Sequence, residues 1–189
     1  GQILRPTDGR PPHKIAFVQC AGSRDENHLS FCSYICCMAS LKQARYLREQ
    51  YPDAEVTIFY IDLRTPGRYE NFAQEVVNDP LVKTVKGKVA EIDEDIRDGS
   101  VWVTAEDALS GNKMQERFDL VVLATGMQPS LAGHPLPLNT EMDEEGFVIS
   151  AETNGIFAAG CAAEPLDVMK SAQSATSAAM KAIQTVRGR

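Results

Sequence analysis

The apolar positions of this chain change period several times, and each change marks an element. Lys14 to Cys20 (KIAFVQC) is a short continuous run rich in β-formers, which predicts a buried strand. A polar loop follows from Ala21 to Ser30, and from about Ser33 to Tyr51 the period becomes helical. Ile35, Met38, Leu41, Ala44 and Leu47 recur along one face there, and Pro52 closes the helix. Val56 to Ile61 predicts a second strand and Tyr69 to Val77 a second helix, so the order strand, helix, strand, helix is that of a parallel α/β unit. Polar and apolar residues then alternate in Val82 to Ile96, Ser100 to Ala105 and Lys113 to Phe118, with turn signals at Asp98-Gly99 and Ser110-Gly111. That pattern predicts a three-stranded antiparallel meander.

Asp119 to Ala124 (DLVVLA) reads as a fully buried strand that ends in Thr125-Gly126. Beyond a proline-rich loop, Phe147 to Ser150 predicts a short strand and Ile156 to Ala159 a buried one, followed by Gly160-Cys161. The last segment, Asp167 to Val186, is helical in period, with Val168, Ala172, Ala175, Ala179 and Ile183 on one face. Those small residues predict close packing on a sheet. The first dozen residues, with Pro6, Gly9, Pro11 and Pro12, read as a linker. The resulting division is a linker at 1–12, a nucleotide-binding-like domain at 13–124, and the C-terminal part of a split dinucleotide domain at 125–189.

Composition narrows the partners more than the fold. The 189 residues are 43% hydrophobic and 24% charged, ordinary values for a globular protein. A net charge of −7 repels phosphate backbones and anionic lipid, so nucleic acid is an unsuitable partner. No apolar run approaches the ~20 residues of a membrane span, and the opening Gly-Gln-Ile-Leu-Arg has neither methionine nor a signal-peptide core. The expectation is a segment of a longer polypeptide.

Cysteine usage carries the chemistry. Of the five cysteines, Cys20, Cys32, Cys36 and Cys37 crowd into eighteen residues, and Cys161 stands apart. A secreted disulfide scaffold would spread an even number along the chain, so the clustering points to metal or redox chemistry in a reducing cytosol. Cys20 ends a strand, where ligands of open α/β sheets sit. Cys32 and Cys36 are one helical turn apart, and Cys37 stands about 100° around from Cys36. Four such thiolates suit a [4Fe–4S] cluster or a structural zinc. The C-x11-C-x3-C-C spacing lacks the C-x2-C knuckles of zinc ribbons. The helix start and Arg24 would stabilise the negative charge of a thiolate-ligated cluster. A dithiol pair and buried inert cysteines remain the other readings.

An α/β unit interrupted by a three-stranded meander is how two-dinucleotide flavoproteins build each nucleotide domain. DLVVLATG (Asp119 to Gly126) matches their late-strand motif, and TNGIFAAGC (Thr153 to Cys161) matches the segment that approaches the flavin's ribityl-pyrophosphate region. No two of the 13 glycines stand two apart, so the chain has no G-x-G-x-x-G turn. The chain taken alone is therefore expected to bind flavin and nicotinamide nucleotides weakly. Three further features read as structural. Asp62 is expected to pair Arg64 or Arg68, and His13, His28 and His134 to be surface residues. The acidic run Glu141 to Glu145 is expected to be a solvated loop.

VQCAGSRDENHLSFCSYICCMASLKQA, YIDLRTPGRYENF and GIFAAGCAAEPLDV together resemble the heterodisulfide reductase A-subunit family. Within it they look closest to the A subunit of the quinone-interacting membrane-bound oxidoreductase complex. The resemblance implies an FAD/NAD(P)-binding Rossmann-like, thioredoxin-reductase-like fold: a parallel sheet, flanking helices and a three-stranded antiparallel meander. It implies FAD and a [4Fe–4S] cluster as cofactors of the intact protein. The partners implied are other subunits of a cytoplasmic electron-transfer complex, which meets the membrane only through those subunits. By residue-wise correspondence Cys20, Cys32, Cys36 and Cys37 fall on the cluster-ligand pattern. Thr125, Gly126, Gly160 and Cys161 fall on flavin-contacting positions. Many flavoproteins carry Asp where this chain has Cys161, and a thiol bonds ribityl hydroxyls less well. The alternative is a non-catalytic docking module, a degenerate nucleotide fold whose cysteines are inert or bind zinc.

Overall fold

The computed structural model describes residues 1–131, 133–134, 138, 140–151 and 155–188. The chain divides into two compact units, one of residues 1–22 and 36–125, the other of 23–35 and 126–189.

The first unit is organised by β1 (Lys14–Val18), whose burial on both faces explains its unbroken apolar run. It pairs in parallel with β2 (Glu55–Tyr60) on one side and β7 (Leu120–Leu123) on the other. β3 (Val82–Lys86) adds the outer edge, giving the order β3-β2-β1-β7. The pleat sends alternate residues to opposite faces. Ile15, Phe17, Val56 and Ile58 pack on Leu41, Ala44 and Leu47 of α1 (Cys36–Gln50) and on Ala73 and Val76 of α2 (Tyr69–Val77). Ala16, Val18, Phe59 and Val85 pack on Val103, Ala105 and Phe118 of the antiparallel sheet β4-β5-β6. Its strands are β4 (Val89–Asp95), β5 (Ser100–Asp107) and β6 (Asn112–Phe118). Phe59 and Phe118 meet edge to face at 6.1 Å between ring centres. The start of β1 is held from the other end of the domain: Asp119 Oδ2 accepts the N–H groups of both His13 and Lys14 at 2.9 Å. Residues 1–12 carry no helix or strand, yet Tyr51 Oη donates to Ile3 O at 2.6 Å and Pro12 is fully buried.

Four expectations change. Val82 to Ile96 is two strands rather than one, because the chain leaves the parallel sheet at Gly87 to join the meander. Gly87 N–H donates to Tyr60 O at 2.8 Å, and a Cβ there would overlap the carbonyl oxygen of Glu106. Only a glycine passes that close to another backbone. The strand in Asp119 to Ala124 is a sheet edge, half-buried rather than fully buried, with Leu123 50% exposed. Phe147 to Ser150 and Ile156 to Ala159 contribute single bridges, Met142 with Val148 and Ala151 with Ile156, instead of strands. The terminal helix α3 (Val168–Arg187) exists, capped by Asp167 Oδ1 on Lys170 N–H and ended by Gly188 at φ 68°, but buries none of its residues. Thr153 and Asn154 of the TNGIFAAGC motif lie outside the described residues.

Candidate functional site

β1 ends at Val18, and the residues that follow depart from ordinary strand geometry. Gln19 N–H still donates to Phe59 O at 3.0 Å, but Cys20 turns into the left-handed region at φ 56°. The non-glycine residues with positive φ among the described residues are Cys20, Arg24 and Tyr34, all within the cysteine-bearing stretch. Each such conformation costs of order 1 kcal/mol or more, and such strain concentrates at functional sites. The Gln19 side chain is 5% exposed, and neither of its amide atoms has a hydrogen-bond partner among the described residues. A buried amide without a partner costs about 1–3 kcal/mol. Half-buried Cys20 lines a cavity of about 310 Å³ with Gln19, Gly22, Lys88 and Glu91.

Cys36 and Cys37 open α1, whose first turn contains no acidic residue. The positive end of the helix dipole is therefore available to stabilise a thiolate. Cys37 is 7% exposed and its Sγ donates to Asp62 O at 3.6 Å; Cys36 is half-buried. Asp62 meets Arg64 at 3.5 Å, the structural pairing its position predicts.

The second unit holds Cys32. Tyr34 N–H donates to Cys32 Sγ at 3.3 Å, and Lys170 Nζ stands 5.3 Å from the centre of the Tyr34 ring. Ser33, 1% exposed, accepts Met127 N–H on its Oγ at 2.8 Å and lies 3.4 Å from Ser23 Oγ. Gly126 is left-handed at φ 92°, and a Cβ on it would run into both serine hydroxyls. Gly160 is buried, at φ 59°, with its N–H donated to Ser174 Oγ at 3.2 Å. Exposed Cys161 makes local contacts, donating to Leu166 O at 3.5 Å with Ser171 Oγ at 4.0 Å.

The four clustered cysteines are thus divided, with Cys20, Cys36 and Cys37 in the first unit and Cys32 in the second. Among the described residues no three His, Cys, Asp or Glu side chains form a grouping that could hold a metal ion. Thr125 closes the first unit and Gly126 begins the second, where Gly160 and Cys161 also lie. His13, His28 and His134 are exposed, as expected of surface residues. Gln19, Ser33 and Tyr34 escape the sequence reading, because nothing in a pattern announces an unsatisfied amide, a buried hydroxyl or a positive φ. No helix among the described residues is long and apolar enough to cross a membrane.

No family model matches the chain. Among solved structures it is similar to thioredoxin reductase of Lactococcus lactis, with TM-score 0.60 and 17% identity, over 93% of this chain and 54% of that one. The T. acidophilum thioredoxin reductase gives TM-score 0.56 at 17% identity, over 91% and 51%. These likenesses establish the FAD/NAD(P)-binding Rossmann-like fold. Curated relatives are similar over nearly the whole chain. An iron–sulfur A subunit of CoB–CoM heterodisulfide reductase from Methanopyrus kandleri is 35% identical over 96% of the chain and 30% of its own length. A protein of Archaeoglobus profundus named as like the heterodisulfide reductase A subunit is 38% identical over 95% and 27%. The A subunit of the ferredoxin/F420H2-dependent CoB–CoM heterodisulfide reductase of Methanosarcina acetivorans is 37% identical over 97% and 25%. The chain spans between a quarter and a third of the length of these relatives, and it belongs to the heterodisulfide reductase A-subunit family.

Proposed function

We propose that the chain is the part of a flavin- and iron–sulfur-dependent oxidoreductase subunit in which electrons pass between a flavin and an iron–sulfur centre. Cys20, Cys32, Cys36 and Cys37 are the proposed ligands of a [4Fe–4S] cluster, and Thr125, Gly126, Gly160 and Cys161 the proposed flavin-side residues. The observation that carries this reading is the setting of the Cys32 sulfur, which already accepts a backbone N–H from a residue held left-handed. Hydrogen bonds to ligand sulfurs are among the levers that set cluster potentials.

The donor set suits the group. Thiolates are the usual ligands of iron–sulfur clusters. The buried, unsatisfied amide of Gln19 beside Cys20 leaves a hydrogen-bonding capacity that the described residues do not use. When bound, the cluster supplies one-electron transfer, while a flavin exchanges electrons in pairs. In this chain α1 holds Cys36 and Cys37 at its positive end, and Asp62 O fixes the Cys37 thiol. Cys20 stands in the turn two residues beyond β1, and the Tyr34 amide orients Cys32. Gly160 is the motif glycine proposed for the ribityl-pyrophosphate side; it is left-handed and buried, with its N–H held by Ser174 Oγ. Other subunits of a cytoplasmic complex are the proposed electron partners, with any membrane contact made through them.

A docking module with inert or zinc-bound cysteines is the second reading, favoured by α3, which buries none of its residues and exposes Val168, Met169 and Met180. Electron paramagnetic resonance of anaerobically prepared, dithionite-reduced protein separates the two. A reduced-cluster signal supports the electron-transfer reading, and a silent sample containing only zinc supports the docking module.

A further inference from the structure

We propose that Ser33 is a positioning residue. Its hydroxyl fastens the Cys32 turn to the Gly126–Met127 backbone, so that residues 23–35 and the backbone at Gly126–Met127 open and close as one piece. The inference deepens the cluster reading, in which Cys32 is a ligand, and its test needs no iron.

Residues 23–35 lie in sequence between β1 and α1 of the first unit, yet they pack with 126–189. Several contacts within the second unit account for this. Ser30 Oγ donates to Glu145 Oε1 at 2.9 Å, and Phe31 meets Phe147 edge to face at 5.4 Å. The Lys170 ammonium stands over the Tyr34 ring. The glutamate and lysine contacts involve exposed groups and are individually weak in water. Ser33 differs from them. It is 1% exposed and joins Met127 N–H at 2.8 Å, with Ser23 Oγ, itself 2% exposed, at 3.4 Å. The hydroxyls occupy the space that a side chain on residue 126 would need. Gly126 is therefore required both by its φ of 92° and by the serine pair seated against it. Cys32 precedes Ser33 directly, and its sulfur is bonded to the amide of Tyr34, which follows it. Releasing Ser33 frees the whole Cys32–Tyr34 turn.

The test is peptide-resolved alkylation of the metal-free protein under native conditions. Ser33→Ala leaves Met127 N–H without its acceptor, and loss of one such bond shifts local opening about tenfold. Cys32 is expected to alkylate about tenfold faster in this variant, while buried Cys37 reacts at the wild-type rate. An unchanged Cys32 rate in Ser33→Ala overturns the proposal. Should Cys37 accelerate in step, the variant has unfolded globally, and hydrogen exchange of the wild type decides. The Met127 amide and the Arg24 amide, which donates to Phe31 O at 3.1 Å, are expected to share one protection factor. A Met127 amide that exchanges freely beside a protected Arg24 overturns the proposal. Because both readouts are taken without iron, their failure leaves the cluster reading standing, and an iron-free wild type leaves this inference standing.

Discussion

Tyr34 donates its backbone N–H to the sulfur of Cys32 at 3.3 Å while itself standing at φ 64°, a conformation bulky residues avoid. The strain and the hydrogen bond are parts of one turn, since the left-handed residue is the one that donates to the sulfur. Tyr34→Gly, which keeps both the amide and the conformation, is expected to retain the wild-type metal content. Tyr34→Val places a β-branched residue there and is expected to lose about 1–3 kcal/mol in a urea titration. Equal stability of the two variants contradicts a strained turn.

Gly126 is expected to tolerate no side chain. Gly126→Ala combines a positive φ with overlap onto Ser23 and Ser33, and a loss of at least about 2 kcal/mol is expected by chemical denaturation. A loss below about 0.5 kcal/mol would mean that the serine pair yields easily.

Gln19 gives the opposite sign. Replacing its buried, unsatisfied amide by an apolar group of similar size, as in Gln19→Leu, is expected to stabilise the metal-free chain by about 1–3 kcal/mol. Destabilisation in the same urea titration would show that the amide has a partner of its own in the folded chain. A residue that weakens the fold and sits beside a proposed ligand fits a role in binding better than one in packing.

The fold is legible in the sequence where periodicity is strong. The alternation of Ile15 and Phe17 with Ala16 and Val18 is invisible as polarity, because both faces of β1 are covered, so the run announces a buried strand without saying what covers it. Helix α2 is expected over Tyr69–Val77 and is observed over those residues. The break at Gly87 escapes when Val82–Ile96 is read as one strand, and only the approach of Glu106 O shows why the chain must change sheets. The cysteine spacing is plain in the sequence. The attachment of Cys32 to a different unit from Cys20, Cys36 and Cys37 depends on Ser33 and Phe31, which carry no periodic signal.

Asp79 ties the start of β3 to α1 and gives the fold an acid-sensitive point. Burial alone would raise its pKa, but the Arg48 guanidinium at 2.9 Å and the Leu81 N–H outweigh it and hold the carboxyl below its ordinary value. A depressed carboxyl contributes stability that is present above the unfolded pKa and lost as pH falls through the folded one. Asp79→Asn is therefore expected to be about 1 kcal/mol less stable than wild type at pH 7, with the difference shrinking below about pH 4. A difference that stays constant down to about pH 2.5 would contradict this assignment.

Counting iron and acid-labile sulfide per chain, in protein prepared without oxygen, tests the electron-transfer reading most directly. About four of each per chain are expected for a [4Fe–4S] centre, with both lost when Cys20, Cys32, Cys36 or Cys37 is replaced by Ser and retained in Cys161→Ser. Stoichiometric zinc without sulfide, or iron that survives all four replacements, would contradict it.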